Sequence, residues 1–214
     1  MSAVAHIKQY KTGQFYADEF RGDISWNGYE HNVMLRNEGK GADGVLRFTD
    51  VGMAVGADDD KDGRGMAVAD FDNDGALDIV INNNPGDSGI GERARATLLH
   101  NNVGQRRNWL AVELQGTKSN RDAVGAEVRI EAGGSRQMRH VTAGSGYASQ
   151  NSARLYFGLD DKPIVDELTV KWPGGGTERF ENIAARHLLR ITEGQGAKAV
   201  SLPAKKPLPT RGSN

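Results

Sequence analysis

The stretch Gly65-Met-Ala-Val-Ala-Asp-Phe-Asp-Asn-Asp-Gly-Ala-Leu-Asp-Ile-Val80 carries the strongest structural signal in this chain of 214 residues. It places an aspartate-rich turn between two short apolar segments, which we interpret as strands over residues 66–71 and 77–82. The same pattern of short apolar runs bounded by Gly, Asn and Asp recurs along the chain and predicts an all-β fold. A helical turn is predicted only near residues 183–186. Eight further strands are predicted at residues 97–100, 109–114, 126–132, 137–143, 154–158, 167–172, 178–180 and 187–192.

A partial repeat and a change of sequence style divide the chain. Met34-Leu-Arg-Asn-Glu-Gly39 returns in looser form as Leu98-Leu-His-Asn-Asn-Val-Gly104. Only the first copy leads into the aspartate-rich turn, which indicates one complete unit and the opening of a second. We therefore predict a first unit over residues 1–107 and a second domain over residues 108–194. The remainder, residues 195–214, is rich in Pro and Lys and is predicted to be a flexible tail.

Composition and charge distribution exclude several classes of protein. The chain has no Cys, which excludes disulfide scaffolds, thiolate zinc sites and cysteine nucleophiles. It also has no long apolar run, so no membrane span is expected. Residues 43–78 contain ten Asp, no Glu and three basic residues, a net charge of −7. That sign disfavours a nucleic-acid partner, and short carboxylates in Gly-rich sequence indicate cation binding.

The aspartate-rich turn has the spacing of a Ca²⁺ loop. Carboxylates at positions 1, 3, 5 and 9 converge when alternate residues turn inward, and Gly75 at position 6 allows the sharp bend. Mg²⁺ fits less well because it retains more water. Position 12 is Ile81 rather than the bidentate Glu of an EF-hand, and the flanks are predicted strands. The predicted Ca²⁺ ligands are the carboxylates of Asp70, Asp72, Asp74 and Asp78 and the carbonyl oxygen of Ala76.

Three roles for this turn remain open from the sequence. The ion could fasten the loop and contribute only folding free energy. It could instead contact a ligand or substrate directly, or the turn could be a solvated acidic segment without metal. The five His are dispersed, and His100, at a predicted strand end, is interpreted as a structural hydrogen-bonding residue.

Two polar loops of the second domain form a candidate ligand site. The loops could meet at one end of a β-sandwich, with Tyr147 or Trp172 as a stacking face for a sugar. The alternative is that the glycines only permit tight turns and the polar side chains pair locally. The candidate ligand-binding residues are Arg121, Asp122, Tyr147, Gln150 and Asn151.

Two parts of the sequence resemble known families. The first resemblance is to an FG-GAP/VCBS repeat, and it is carried by residues 32–39, Phe48-Thr-Asp-Val51 and the stretch at residues 65–80. The later sequence resembles the ASPIC/UnbV domain of cartilage acidic protein-like proteins. The segments that carry this second resemblance are Asn108-Trp-Leu-Ala-Val-Glu-Leu114, Ser119-Asn-Arg-Asp-Ala-Val-Gly-Ala126, Ala143-Gly-Ser-Gly-Tyr-Ala-Ser-Gln150, Leu155-Tyr-Phe-Gly-Leu159 and Val170-Lys-Trp-Pro-Gly-Gly175.

The resemblance implies an all-β, calcium-binding and typically exported protein. The expected architecture is one calcium-loop unit, similar to a propeller blade, packed on a β-sandwich-like C-terminal domain. No basic start followed by an apolar stretch is visible in Met1-Ser-Ala-Val-Ala-His-Ile-Lys8, so no secretory signal is predicted and the compartment stays open. A single blade leaves open strand edges, which could pair in a homo-oligomer.

The leading functional prediction is a Ca²⁺-stabilised binding or adhesion module that recognises a glycan or a protein. The alternative is a calcium-dependent enzyme, such as a cyclase, isomerase or hydrolase of a biosynthetic pathway, with a pocket on the β scaffold. An acid–base pair such as Asp122 and His140 in a deep pocket would favour the enzyme. No catalytic constellation is evident from the sequence, so catalytic residues are not assigned.

Overall fold

The structure is a computed structural model that describes residues 31–59, 61, 63–83 and 96–202. The all-β prediction is confirmed, since the described helices are one turn at Gly52–Val55 (α1) and a 3-10 turn at Gly104–Arg106. The strands are β1 Leu35–Lys40, β2 Leu46–Asp50, β3 Gly63–Ala69, β4 Asp78–Asn83, β5 Thr97–Leu99, β6 Asn108–Gln115, β7 Glu127–Ala132, β8 Ser135–His140, β9 Leu155–Asp160, β10 Ile164–Lys171, β11 Thr177–Ala184, β12 His187–Thr192 and β13 Gly196–Val200.

The chain divides into two compact units, residues 1–66 with 80–99, and residues 67–79 with 100–214. The first unit contains the antiparallel hairpin β1–β2, whose register shifts between Asn37 and Gly39. Strands β3, β4 and β5 form a separate sheet in sequence order. The aspartate-rich turn falls in the second unit, whereas the sequence placed it in a first unit that ended at residue 107. That predicted boundary stays a prediction.

The second unit contains two four-stranded sheets, with strand orders β11-β10-β7-β8 and β13-β12-β6-β9. Their facing sides share one hydrophobic core, to which β6 contributes Leu110 and Val112 and β7 contributes Val128 and Ile130. Apolar side chains alternate toward this core, as expected for two sheets packed face to face. Most pairs are antiparallel, but β6 and β12 run parallel at the centre of their sheet.

The first half of strand β6 is buried on both faces, because Trp109 and Ala111 belong to a second cluster. Trp109 and Ala111 lie there with Tyr156 of β9 and Leu188 of β12, on the side of the sheet away from the main core. The rings of Trp109 and Tyr156 are 6.4 Å apart at an angle of 38°. This outer cluster is the surface on which the aspartate-rich turn rests.

Several local expectations are wrong or incomplete. Residues 183 and 184 end β11 rather than forming a helical turn, and Arg186 has a φ of 65° with its N–H bonded to the Trp109 carbonyl at 2.6 Å. Strands β1, β2 and β13 were not expected. Residues 196–200 pair with β12, so this part of the predicted tail is a sheet edge, and residues 203–214 lie outside the described residues. Within the described ranges, no helix combines the length and hydropathy needed to cross a membrane.

Candidate metal centre

The aspartate-rich turn leaves β3 at Asp70 and enters β4 at Asp78. Two residues bend it through the left-handed region, Asn73 with φ 59° and Gly75 with φ 93°. A Cβ atom at Gly75 would overlap the indole ring of Trp109, so the turn lies against the outer cluster with no room for a larger residue. Glycine is therefore required here both by backbone conformation and by the close approach of the tryptophan.

Two groups of side chains in and beside the turn could hold a metal ion. In the first, carboxylate oxygens of Asp70, Asp72 and Asp74 lie within 4.8 Å of one another. In the second, Asp72 and Asp78 meet the ring of His100 within the same limit. Three of these carboxylates are buried, with Asp70 and Asp72 each 8% exposed and Asp78 1%. The two groups share Asp72.

Backbone N–H groups of the turn hold the first group. The N–H of Asp74 donates to Asp70 Oδ1 at 3.0 Å and to Asp72 Oδ1 at 3.2 Å. The N–H of Gly75 donates to Asp70 Oδ2 at 2.9 Å, and that of Ala76 to Asp74 Oδ1 at 2.9 Å. The side chains of positions 1, 3 and 5 are thus directed inward by the bend, while their role as Ca²⁺ ligands stays a prediction.

Residues outside the turn fix its position on the sheet. The hydroxyl of Tyr156 lies 3.2 Å from Asp70 Oδ2, and Arg154 Nη1 donates to Asn73 Oδ1 at 2.9 Å. Before the turn, the N–H of Val68 donates to Asn151 Oδ1 at 2.9 Å. These bonds tie the first half of the turn, and the end of β3 before it, to β9 and to the loop before β9.

Within the first group, the shifted carboxylate is that of Asp70. Burial raises the pKa of Asp70, although the N–H of Gly75 and the Tyr156 hydroxyl act against it, and the charge of Asp74 raises it further. Burial also raises the pKa of Tyr156 to about 12, with a further contribution from the charge of Asp70. A bound cation would relieve both effects.

The pKa of His100 is raised as well, but for a base this shift favours the charged form. Burial lowers the pKa of His100, but hydrogen bonds to Asp72 and Asn102 outweigh it, so that the pKa of His100 is raised. The sequence identified this residue as a hydrogen-bonding side chain, which the structure confirms at 3.1 Å from Nε2 to Asp72 Oδ2. Its place among the metal-binding candidates was missed, since 22 residues of sequence separate it from Asp78 and no spacing rule links the two.

The predicted calcium ligands are partly gathered by the structure. Asp70, Asp72 and Asp74 form one group, and Asp78 joins Asp72 through the second. Ala76 is buried and uses its N–H on Asp74, while ligation by its carbonyl oxygen stays a prediction. The described side chains could hold a metal ion, and calcium as the bound ion stays a prediction.

The predicted ligand-binding residues lie in two loops of the second unit. Arg121, Asp122, Tyr147, Gln150 and Asn151 are all exposed, with Tyr147 at 77%. No hydrogen bond among the described residues joins the loop at 121–122 to the loop at 147–151. Asn151 instead supports Val68 through its side chain, and its own N–H donates to Ser145 Oγ at 2.8 Å. A ligand role for this set stays a prediction.

The loop before Arg121 is anchored by one buried carboxylate, Glu193, at the end of β12. Its Oε2 accepts N–H bonds from Thr117, Lys118 and Ser119 at 2.9, 2.8 and 2.7 Å, and Oε1 accepts the Ser119 hydroxyl at 2.9 Å. The N–H of Ser119, together with those of Thr117 and Lys118, holds the pKa of Glu193 at about 2 against the opposing effect of burial. We call this arrangement the Glu193 cradle.

Two surface cavities lie in the second unit. One of about 320 Å³ is lined by Asn73, Trp109, Arg186, His187 and residues 199–202. The other, of about 590 Å³, lies over charged residues of β7, β8, β10 and β11. Neither contains Asp122 or His140, and His140 Nε2 lies 3.8 Å from Glu127 instead.

Comparison with known proteins supports the ASPIC/UnbV family for the C-terminal part of the chain. Residues 116–198 match the family model described as ASPIC and UnbV. The chain is also 31% identical over 158 residues to cartilage acidic protein 1 of Xenopus tropicalis, which covers 73% of this chain and 23% of that protein. The Homo sapiens protein of the same name is 32% identical over 114 residues, 53% of this chain and 16% of the relative. The chain thus spans less than a quarter of the length of these relatives.

Proposed function

We propose that this chain is a structural and protein-binding module that works outside the cell and is fastened by Ca²⁺ at the Asp70–Asp78 turn. The observation that carries the proposal is the convergence of the Asp70, Asp72 and Asp74 carboxylates, two of them buried, within 4.8 Å. Clustered carboxylates repel one another unless a cation or protons compensate their charge. The all-oxygen donor set of this group suits a hard cation such as Ca²⁺.

The position of the turn explains what such an ion does for the fold. The turn covers the outer cluster of Trp109 and Tyr156, and Asp70 contacts Tyr156 directly. An ion that binds the folded turn and not the unfolded chain stabilises the whole unit by mass action. We therefore assign the ion a fastening role rather than contact with a substrate.

The similarity to the cartilage proteins supports the proposed class of partner. The name cartilage acidic protein 1 refers those relatives to cartilage, and we extend an extracellular setting to this chain. A protein partner is proposed first. The same proposal has three finer parts. The first is a glycan partner at the loop of Tyr147 and Gln150. The others are an FG-GAP/VCBS-type repeat over residues 32–80 and pairing of blade edges between copies.

Thermal unfolding with and without calcium tests the fastening role. The full chain is stripped with a chelator, then unfolded in rising CaCl₂ in parallel with isothermal titration. Wild type should bind Ca²⁺ and gain about 2.7 kcal/mol of unfolding free energy at a hundred times the Kd. Asp70→Asn should lose this gain. Asp161→Asn, which changes an exposed carboxylate paired with Lys162 at 3.6 Å, should keep it.

A chain that takes up no Ca²⁺, or takes it up without a rise in unfolding temperature, would overturn the proposal. The enzyme alternative remains a separate hypothesis. Its suggested pair, Asp122 and His140, lies outside both cavities described above. Turnover that is lost on chelation would support the enzyme.

A further inference from the structure

We propose that Asp72, Asp78 and His100 form a site for a borderline divalent transition-metal ion of the Zn²⁺ class. The site shares Asp72 and Asp78 with the calcium ligands proposed above but differs in its nitrogen donor. His100 Nε2 lies 3.1 Å from Asp72 Oδ2 and 3.9 Å from Asp78 Oδ1. Both carboxylates are buried, and the imidazole side chain is 19% exposed.

The spacing of the three donor atoms fits a small ion. Metal–ligand distances of about 2.0–2.1 Å place neighbouring donors roughly 2.9 Å apart in an octahedral site and roughly 3.3 Å apart in a tetrahedral one. The Nε2–Asp72 separation falls between these values. The Nε2–Asp78 separation of 3.9 Å exceeds the tetrahedral value by less than one ångström, a gap that the side chains would have to close around an ion.

Each donor is already oriented by a partner outside the set. Both ring nitrogens of His100 face acceptors, Nδ1 with Asn102 Oδ1 at 2.9 Å and Nε2 with Asp72 Oδ2 at 3.1 Å, so an ion would take the place of the Nε2 hydrogen while Nδ1 keeps its bond to Asn102. Asp78 accepts the N–H of Asn101 at Oδ1 and that of Phe71 at Oδ2, at 2.8 and 3.1 Å. A metal-binding histidine in proteins commonly donates its second ring N–H in this way.

Donor chemistry separates this site from the calcium group. Ca²⁺ takes six to eight oxygen ligands, whereas imidazole suits Zn²⁺, Co²⁺ and related ions. An Asp₂His set with remaining positions for water is therefore matched to a transition metal. Asp70 and Asp74 belong to the other group alone, and His100 to this one alone, so one variant of each kind separates the two sites.

The experiment titrates the chelator-stripped full chain with CoCl₂, followed by its visible absorption, and separately with CaCl₂ by calorimetry. Wild type should bind Co²⁺ with a ligand-field spectrum that includes a nitrogen donor. His100→Gln should weaken Co²⁺ binding by at least ~10-fold, and Asn102→Ala by about 10-fold, since it removes only the orienting bond. Asp74→Asn should weaken Ca²⁺ and leave Co²⁺ nearly unchanged.

His140→Gln is the matched control, because it removes an exposed histidine of the same chain and should leave the Co²⁺ titration as in wild type. Unchanged Co²⁺ binding in His100→Gln would overturn the inference. Should that variant not fold, the wild-type imidazole signals decide, because Zn²⁺ should shift the His100 ring nitrogens in an NMR spectrum and a spectrum without that shift overturns the site.

The two proposals fail in distinguishable ways. Ca²⁺ binding without Co²⁺ binding overturns this inference and supports the calcium fastening. Co²⁺ binding that depends on His100, in a chain that takes up no Ca²⁺, supports this inference and overturns the calcium fastening. A chain that binds neither ion overturns both.

Discussion

The Glu193 cradle and the Asp70–Asp78 turn both bury carboxylate charge in the second unit, but they surround it differently. Glu193 is a single carboxylate with three backbone N–H groups and a hydroxyl around it, and its pKa is about 2. Asp70 also accepts two N–H groups, yet its pKa is raised. The number of donors alone does not decide the outcome, because burial of Asp70 outweighs its donors and the charge of Asp74 adds to that effect.

This difference indicates which of the two regions should respond to an ion. A carboxylate solvated by backbone dipoles is satisfied by the protein itself, as in an anion-binding nest. A group of carboxylates facing one another is stable only with added positive charge. The cradle should therefore be indifferent to metal, and the turn should respond to it.

The largest expected effect comes from Gly75→Ala. The new Cβ would overlap the indole of Trp109 at a backbone φ of 93°, so we expect a loss of about 3 kcal/mol in unfolding free energy and a loss of metal binding. Denaturant unfolding measures the first and calorimetry the second.

Gly134→Ala is its matched control. Gly134 has a φ of 78° but no atom near its Cβ position, so it should cost only about 1 kcal/mol. Equal losses in the two variants would show that the contact with Trp109 does not constrain the turn.

Glu193→Gln should lower the unfolding temperature by roughly 5 °C, since a neutral amide accepts the Thr117–Ser119 donors less well and points its NH₂ group at one of them. The loss should be the same in chelator and in CaCl₂. Glu181→Gln, on exposed strand β11, serves as the control in both conditions. A calcium-dependent difference for Glu193→Gln would mean that cradle and turn are coupled.

The pH dependence of the stability difference between wild type and Glu193→Gln gives a sharper test. The pKa of Glu193 is lowered from 4.5 to about 2 on folding, so its contribution is present above pH 4.5 and is lost as pH falls toward 2. The gap in stability between wild type and Glu193→Gln should be constant from pH 7 to 5 and close below 4.5. Unfolding curves at stepped pH measure it, and a gap that persists at pH 2 contradicts the assignment.

Tyr156→Phe should have the smallest effect. It removes the hydroxyl 3.2 Å from Asp70 Oδ2 and keeps the ring beside Trp109, so we expect a loss of about 1 kcal/mol in calcium. Calorimetric unfolding with saturating CaCl₂ checks this value. If Tyr156→Phe lost more unfolding free energy than Gly75→Ala, the Tyr156 hydroxyl would contribute more than Gly75 to holding the turn.

Local pattern predicted much of this fold from sequence. The bounds of β12 match the strand predicted at residues 187–192, and β6 is longer by one residue at each end than the strand predicted at residues 109–114. Both predictions succeeded because the apolar residues of these strands are closely spaced and bounded by polar turns. Strands β1 and β2 were missed since their residues are exposed on both faces and show no period-two alternation of burial. Burial pattern, the main signal for a strand, is absent there.

The candidate site divides in the same way. The inward carboxylates of Asp70, Asp72 and Asp74 follow from spacing within one turn, so sequence sufficed. His100 and Glu193 reach their partners over 28 and 74 residues respectively, counted to Asp72 and Ser119. Such contacts depend on how strands are ordered in the sheet, and a single sequence holds no local signal for that order.

The parallel pairing of β6 with β12 has a consequence for synthesis of the chain. His187 lies opposite Leu110, and Thr192 opposite Gln115, so the middle of this sheet joins segments 77 positions apart in sequence. During translation, β6 leaves the ribosome with its hydrogen-bonding edge unsatisfied and must wait until the partner strand has been made. Loop closure over that distance sets a slow step, and the nascent chain leaves the apolar residues of β6 uncovered throughout the delay.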